Sequence, residues 1–589
     1  LSTGTLRVEV FIAREALPLP GALVEIYDAG EWQGENPPIA RLMTDESGRT
    51  EPVTLYAPDP ALSQHPQEQT VPYSVYDIVV RMCGYQPQFI LGIQIFAGVE
   101  SIQQVEMVPA QACQTEVGVS RIPVHDLMGP PQPSLAEYSN GRITSRVIIP
   151  QYVTVHLGQP DDAAAPQVTV SFRNYIKNVA SSELYPTWPE NALRANIYRQ
   201  ISLVLNRILT GWYRSRGYSF DITNSAFSDQ AFVHHRNTFS NIDRIVDEIF
   251  DIYPQKSNFE KCLYKKDNDS CQIICLDLER WETVALANRG DTPLGILQHF
   301  CKERLSLVQA AQISGVPEAY PGTPLRFGSL GSSVRVVQRQ LRRISKNYPA
   351  ILKLTADGQF GSATESAVQT FQRIFNLTVD GIVGKATWYQ ISYIYTAVTQ
   401  LAELSSEKSM FEPAAEDYPG HPLRNGATGE SVEQLQVWLR IIGRFYESVP
   451  LIAAADGSFT TATENAVKAF QNAFSLMADG IVGPETWRQL QLACRNLKEG
   501  IDAGSGSPPV YPGEALRVGS RGDTVRIMQN SLNAIGRIYT GIPVLLADGI
   551  YGTATDNAVR TFQRLFGMDA DGVIRRTTWN RIVSVSDSL

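Results

Sequence analysis

Glu183 stands in the run Tyr175-Ile-Lys-Asn-Val-Ala-Ser-Ser-Glu-Leu-Tyr-Pro-Thr-Trp-Pro-Glu190. A carboxyl group beside Leu184, Tyr185 and Trp188 loses solvation, and burial disfavours the charged form. That is how a glutamate can be kept protonated as a general acid at neutral pH. The competing reading is structural, with Glu183 capping or pairing near a helix start. A second group of reactive types is Cys271-x3-Cys275 with His299-x-Cys301. Zinc would take four such ligands as a tetrahedron, while one or two disulfides, or free buried thiols, suit the same spacing. Of the other cysteines, Cys262 lies just before that stretch, within the same forty residues, and Cys83, Cys113 and Cys494 are scattered. His234 and His235 are adjacent, and neighbouring side chains point apart in most local structures, so a joint ligand role is not expected.

The elements that must hold Glu183 are legible nearby. Ile148-Ile-Pro-Gln-Tyr-Val-Thr-Val-His156 has strand character. Thr187-Trp-Pro-Glu190 reads as a capping box, which satisfies orphan backbone donors at a helix start. Beyond it Leu193, Ile197, Ile201, Val204, Ile208 and Trp212 form one apolar stripe at helical spacing, which predicts a central helix.

The last part of the chain repeats itself three times. Tyr320-Pro-Gly-Thr-Pro-Leu-Arg, Tyr418-Pro-Gly-His-Pro-Leu-Arg and Tyr511-Pro-Gly-Glu-Ala-Leu-Arg open the units. Ala-Asp-Gly follows at Asp357, Asp456 and Asp548, Asp-Gly at Asp380, Asp479 and Asp571, and Thr-Trp at Trp388, Trp487 and Trp579, with the last two landmarks equally spaced each time. Val334, Val337, Leu341 and Ile344 predict a first helix. Ser362-Ala-Thr-Glu365, echoed by Thr461-Ala-Thr-Glu464 and Thr553-Ala-Thr-Asp556, predicts a capped second one whose core face is Val368, Phe371 and Phe375. A third helix begins near Gly384 or Pro484, proline being accepted at a first turn. The Asp-Gly turns supply the positive φ that reverses the chain. This pattern, ADGQFGSATESAVQTFQ then VDGIVGKATW, resembles the three-helix peptidoglycan-binding domain of wall enzymes. The resemblance implies glycan strands of peptidoglycan as the partner, held more firmly by three linked modules than by one. The units differ, with Thr460 in place of Gly361 and Arg575 in place of Gly384.

The chain has 589 residues, 43% hydrophobic and 19% charged, with a formal net charge of −9. Length predicts several domains, and the acidic balance argues against a nucleic-acid partner. No stretch is long and apolar enough to span a membrane, and no signal peptide is visible at Leu1. Residues 1–109 alternate as strands between turn clusters. The runs Pro20-Gly-Ala-Leu-Val-Glu-Ile, Thr44-Asp-Glu-Ser-Gly and Cys83-Gly-Tyr85 resemble the prealbumin-like β-sandwich of carboxypeptidase regulatory domains. Residues 110–146 read as an exposed, Pro-rich and cleavable linker.

The run YIKNVASSELYPTWPENALRANIYRQIS, then SRGYSFDITNSAFSDQAFV, resembles the catalytic domain of clostridial spore cortex-lytic enzymes, which belongs with stage II sporulation protein D, a lytic transglycosylase. The resemblance implies Glu183 as catalytic acid and base, forming 1,6-anhydro-muramic ends. It places Tyr185, Asp221, Thr223, Asp229 and Gln230 at the substrate. It also implies an N-terminal pro-region removed by an activating protease, and a place in the spore cortex, coat or wall during germination. The likeness weakens at Cys275-Leu-Asp-Leu-Glu-Arg-Trp-Glu282, where Asp277 and Glu282 replace glycines and Glu279-Arg280 replaces Ser-Gln. A charged side chain there fills space and forbids positive φ. The alternative function is therefore a non-catalytic peptidoglycan-binding or anchoring protein with a decayed enzyme domain. The expected order is a β-sandwich (1–109), linker (110–146), an α+β transglycosylase-like domain (147–317) and all-α modules at 318–398, 417–497 and 509–589.

Overall fold

The computed structural model describes residues 2–587 except 34–35, 67–69, 83–84, 109–116, 129–146, 163, 257–277, 302–303, 311, 314–319, 406–417, 453, 475, 503–510, 513, 537–540 and 567. The chain is multidomain, with sheets in its first half and helical repeats in its second. The strands near the N-terminus are β1 (Thr3–Ile12), β2 (Leu17–Pro18), β3 (Leu23–Asp28), β4 (Ala40–Met43), β5 (Val53–Tyr56), β6 (Ser74–Arg81), β7 (Gln88–Ile95), β8 (Glu100–Glu106) and β9 (Gly118–Arg121). One five-stranded sheet runs β4-β3-β6-β7-β9. In the other, β1 pairs with β2, β5 and β8. Alternate residues point to one face of a strand, and so Leu6, Val8, Val10 and Ile12 are buried together.

The central region holds β10 (Ile148–Ile149), β11 (Tyr152–His156), β12 (Gln167–Ser171), α1 (Phe172–Glu183), α2 (Glu190–Leu209), β13 (Ile222–Thr223), β14 (Thr238–Phe239), α3 (Ser240–Ile249), β15 (Ile252–Lys256), α4 (Arg280–Asn288), α5 (Pro293–Phe300), β16 (Leu305–Gln309) and β17 (Gln312–Ile313). The apolar stripe of α2 is buried from Leu193 through Val204, and α1, α3, α4 and α5 all pack on this helix. Its expected capping box does not form. Pro189 is the N-cap, without a side-chain cap bond, and the Thr187 hydroxyl instead meets Ser63 Oγ at 2.6 Å.

That contact belongs to a seam which changes two expectations. The β region does not stand apart from the centre: β14 pairs with β8, and Tyr73 and Phe96 belong to the same buried cluster as Tyr175, Tyr185 and Trp188. Trp188 Nε1 donates to Ser63 O at 2.8 Å, and Asn237 Nδ2 to Gln94 O at 2.9 Å. A pro-region that leaves would strip a shared core. The segment expected to be an exposed linker is also ordered in its described part. β9 extends a sheet beside β7, and His125 is fully buried, its ring within 3.2 Å of Leu184 O.

Each module has the three helices that the spacing predicts: Ser332–Ile344, Ser362–Ile374 and Lys385–Ser405; Glu430–Phe445, Thr461–Ala473 and Pro484–Asp502; Asp523–Gly536, Thr553–Leu565 and Arg576–Asp587. The caps of the second helices differ from expectation. Their N-caps are Gly361, Thr460 and Gly552, one residue earlier, and none makes a side-chain cap bond. The hydroxyl of Thr364 serves a different purpose, because a buried glutamine claims it. Gln338 Nε2 donates to Asp357 Oδ1 at 2.9 Å, to Gln359 O at 2.9 Å and to Thr364 Oγ1 at 3.1 Å, while its Oε1 accepts from Gly358 N at 2.8 Å. Gln372 does the same at the second turn with Asp380, Ile382, Thr387 and Gly381. Gln436 and Gln471 repeat both clamps in the second module, as do Gln529 and Gln563 in the third. One amide thus satisfies the backbone of a left-handed Asp-Gly turn such as Gly358 (φ +81°) and ties it to a helix. Trp388, Trp487 and Trp579 are buried in the bundles.

Gln563→Leu should strand the polar groups of the turn at Asp571 and destabilise the third module by about 1–3 kcal/mol, read as faster hydrogen exchange over Thr553–Leu565. The clamps also carry a pH signature. The Gln359 amide and the Gln338 side chain hold the Asp357 carboxyl below its usual range, and the equivalent groups do so for Asp456 and Asp548. Burial works against Asp571, but Arg575 and the Val573 amide outweigh it and bring it to about 2. Carboxyls depressed on folding add stability above their unfolded value. The contribution of these carboxyls should therefore be level above pH 4 and be lost as pH drops towards 2, so that the fall in thermal midpoint caused by Asp571→Asn at pH 5 shrinks by pH 2.

Candidate functional site

The end of α1 places Glu183 at the centre of a closed polar network. Ser171 starts that helix, its Oγ accepting from Asn174 N at 3.2 Å, and Glu183 is its last residue. The carboxylate is 2% exposed. Its Oε1 accepts from Ala231 N at 2.9 Å and its Oε2 from Gln200 Nε2 at 3.0 Å. Arg199 Nη1 lies 3.6 Å and Arg280 Nη2 3.8 Å from Oε2. The sequence suggested apolar and aromatic neighbours for this group, but the atoms that meet it are donors and two guanidiniums. Tyr185 turns away into an aromatic seam with Phe96 at 5.6 Å and His125 at 4.7 Å between ring centroids.

The other candidates are drawn into the same interior. Gln200 O accepts from Gln230 Nε2 at 3.1 Å, and Gln230 Oε1 accepts from Tyr175 OH at 2.9 Å. Asp229 is fully enclosed: Arg207 Nε donates to it at 2.7 Å, Tyr213 OH at 2.6 Å, Thr223 N at 2.9 Å and Thr223 Oγ1 at 2.7 Å. Asp221 accepts from Thr154 N at 2.9 Å and Arg214 Nε at 2.6 Å. Glu183 and Gln230 are thus linked through Gln200, Asp229 and Thr223 form a second node, and Tyr185 and Asp221 stand apart from both.

The residues that depart from the family pattern explain part of this closure. Asp277 lies outside the described residues. Glu279 is the N-cap of α4, its carboxylate accepting from Trp281 N at 3.2 Å and Glu282 N at 2.5 Å. Arg280 follows and bridges Glu183 to Asp126, a residue of the segment expected to be a linker. Burial opposes the Arg280 charge, but Glu183 and Asp126 outweigh it and raise its pKa. Glu282 meets His299 Nε2 at 3.0 Å on the surface. Of the cysteine cluster, Cys271 and Cys275 lie outside the described residues, and Cys301 carries a free thiol. The link from Arg280 to Glu183 was missed in the sequence, where only the loss of glycine was visible.

A groove of about 1190 Å³ lies between the central region and the second module. Arg214, Tyr218 and Phe220 line one wall, and Asn465, Lys468 and Asn472, one face of the module's second helix, line the other.

Three segments, 331–391, 428–490 and 521–582, match the family described as putative peptidoglycan binding domain. Each match lies within one of the three helical modules. It is 35% identical over 163 residues to the N-acetylmuramoyl-L-alanine amidase CwlL of Bacillus licheniformis, covering 26% of this chain and 43% of that protein. It is 29% identical over 220 residues to a probable N-acetylmuramoyl-L-alanine amidase of the same organism, covering 36% and 53%. A third relative is the amidase CwlM of Mycobacterium tuberculosis, 32% identical over 168 residues, covering 28% and 37%. The chain therefore spans about half or less of the length of these curated relatives. The crystal structure of the SleB N-terminal domain aligns at 33% identity with a TM-score of 0.12, over 13% of this chain and 99% of that one. One expectation is overturned here. Lytic transglycosylation was implied for the central domain, but these relatives are named for a different reaction, at the bond between N-acetylmuramoyl and L-alanine.

Removing one partner of a buried ion pair leaves the others uncompensated. Glu183→Gln should therefore destabilise the central region by about 3 kcal/mol in urea unfolding. Adding Arg280→Gln should recover part of that loss in a double-mutant cycle. Additive losses would mean that the two side chains do not interact.

Proposed function

We propose that this is a peptidoglycan-binding protein associated with the cell wall outside the cytoplasm, and that its central domain serves to hold and present the modules rather than to cut the glycan strand. The observation that carries the reading is the threefold recurrence of the same clamped module within segments of a peptidoglycan-binding family. Linked sites raise one another's effective concentration, so three weak contacts with a polymer hold firmly. Supporting a non-cutting centre, Glu183 lies in a shell of donors and guanidiniums with almost no exposed surface. Among the described residues no helix is long and apolar enough to cross a membrane.

The groove beside the second module gives this reading a path for the strand. The half-buried ring of Tyr218 and amides such as Asn465 and Asn472 suit a sugar, which offers apolar faces and hydroxyls.

Purified chain mixed with insoluble peptidoglycan sacculi should pellet with them, and mass spectrometry of the supernatant should find no release of 1,6-anhydro-muramic fragments. Asn465→Leu with Asn472→Leu should weaken retention several-fold without unfolding the second module. A chain that stays in the supernatant as fully as an unrelated acidic protein refutes the reading.

A further inference from the structure

The two adjacent histidines, expected to point apart, do the opposite. His235 has a φ of +63°, a conformation that non-glycine residues rarely adopt and that persists where surroundings over-determine it. It folds the ring back over His234, with centroids 3.6 Å apart. Both rings then face Glu447, on the turn after the first helix of the second module. His234 Nε2 is 2.8 Å and His235 Nε2 4.0 Å from Glu447 Oε2, and one ligand atom from each residue lies within 4.8 Å of the others.

We propose that His234, His235 and Glu447 bind one transition-metal dication of the zinc class, with water completing the site, and that this ion pins the second module to the central domain. Zinc takes imidazole and carboxylate ligands at roughly 2.0–2.2 Å in a tetrahedron, which sets its ligand atoms about 3.3 Å apart. The distances of 2.8 and 4.0 Å straddle that spacing. Imidazole with carboxylate suits zinc over the hard oxygen-seeking cations.

The surroundings are those of a built site. His235 Nδ1 meets Ser120 Oγ at 2.7 Å, the outer hydrogen bond that fixes the tautomer of a ligating histidine and leaves Nε2 free to coordinate. The backbone beneath is pinned as well: Val233 N donates to Asn178 Oδ1 at 2.9 Å, Gln103 Nε2 to His235 O at 2.9 Å, and Thr169 N to Glu447 O at 3.2 Å. The cluster opens on a cavity of about 110 Å³, also lined by Glu9, Glu15, Glu106 and Asp243. The Oε2 of Glu106 is buried there and has no hydrogen-bond partner among the described residues, a place for a metal-bound water to donate.

Metal-stripped full-length chain titrated with zinc chloride should bind one ion at this site, measured by calorimetry and by metal analysis after dialysis. Glu447→Gln and His235→Gln should each weaken binding at least 100-fold, and Ser120→Ala about 10-fold, while Cys301→Ser leaves it unchanged. Cobalt chloride added to the unaltered chain gives a readout that does not depend on any variant folding. It should produce the visible absorption of tetrahedral cobalt without the near-ultraviolet band of a thiolate ligand. Absence of saturable binding, binding unchanged in both Glu447→Gln and His235→Gln, or a single site with a thiolate band would overturn the proposal.

Discussion

The helical half of the molecule depends on one side-chain amide used six times. An Asp-Gly turn reverses the chain only if glycine takes a positive φ, and the reversed backbone then presents an amide and a carbonyl away from any helix or sheet ladder. Burying such groups unpaired is costly. Gln338, Gln372, Gln436, Gln471, Gln529 and Gln563 each satisfy them with an oxygen and a nitrogen, and each spends its remaining bond on a threonine in the next helix, Thr364 being the first. The turn, the helix before it and the helix after it are thereby fixed by one residue. Apolar packing around Phe371 and Trp388 and their counterparts adds the energy, but the amide sets the geometry.

Buried polar groups are also what bind the rest together. Arg14 reaches the second module through Gly443 O at 3.0 Å, and Tyr348 OH of the first module donates to Glu15 O at 2.6 Å. Lys385 Nζ meets Asp251 Oδ1 of the central region at 2.6 Å. The sheets, the centre and the first two modules therefore form a joined body. The network around Glu183 is one more such joint: through Arg280 and Asp126 it ties α1, α4 and the segment before β10. A group tied on every side is suited to holding structure.

What the sequence disclosed follows from distance along the chain. The modules were legible because their landmarks recur and lie within a few turns: Gln372, Gln471 and Gln563 each precede their aspartate by eight residues. The helix α2 was legible because its stripe is local. The caps of the second helices were placed one residue late because Ser362 and Thr461 have the right type, while the extended backbone at Gly361 and Thr460 already starts the helix. The joints were not legible. Arg280 meets Glu183, Thr187 meets Ser63 and Glu447 meets His234 across long stretches of chain, and no spacing rule announces such pairs. The left-handed turn at His235 is set by its surroundings, so the general rule for adjacent side chains failed there.

The central claim is that the three clamped modules, and not the region around Glu183, are what the wall touches. Hydrogen exchange of the full chain, free and bound to sacculi, tests this without altering a residue. The account predicts slowed exchange on wall binding within 331–391, 428–490 and 521–582, with α1 and the start of α4 unchanged. Protection confined to the neighbourhood of Glu183, with the three modules exchanging as in the free chain, would contradict it.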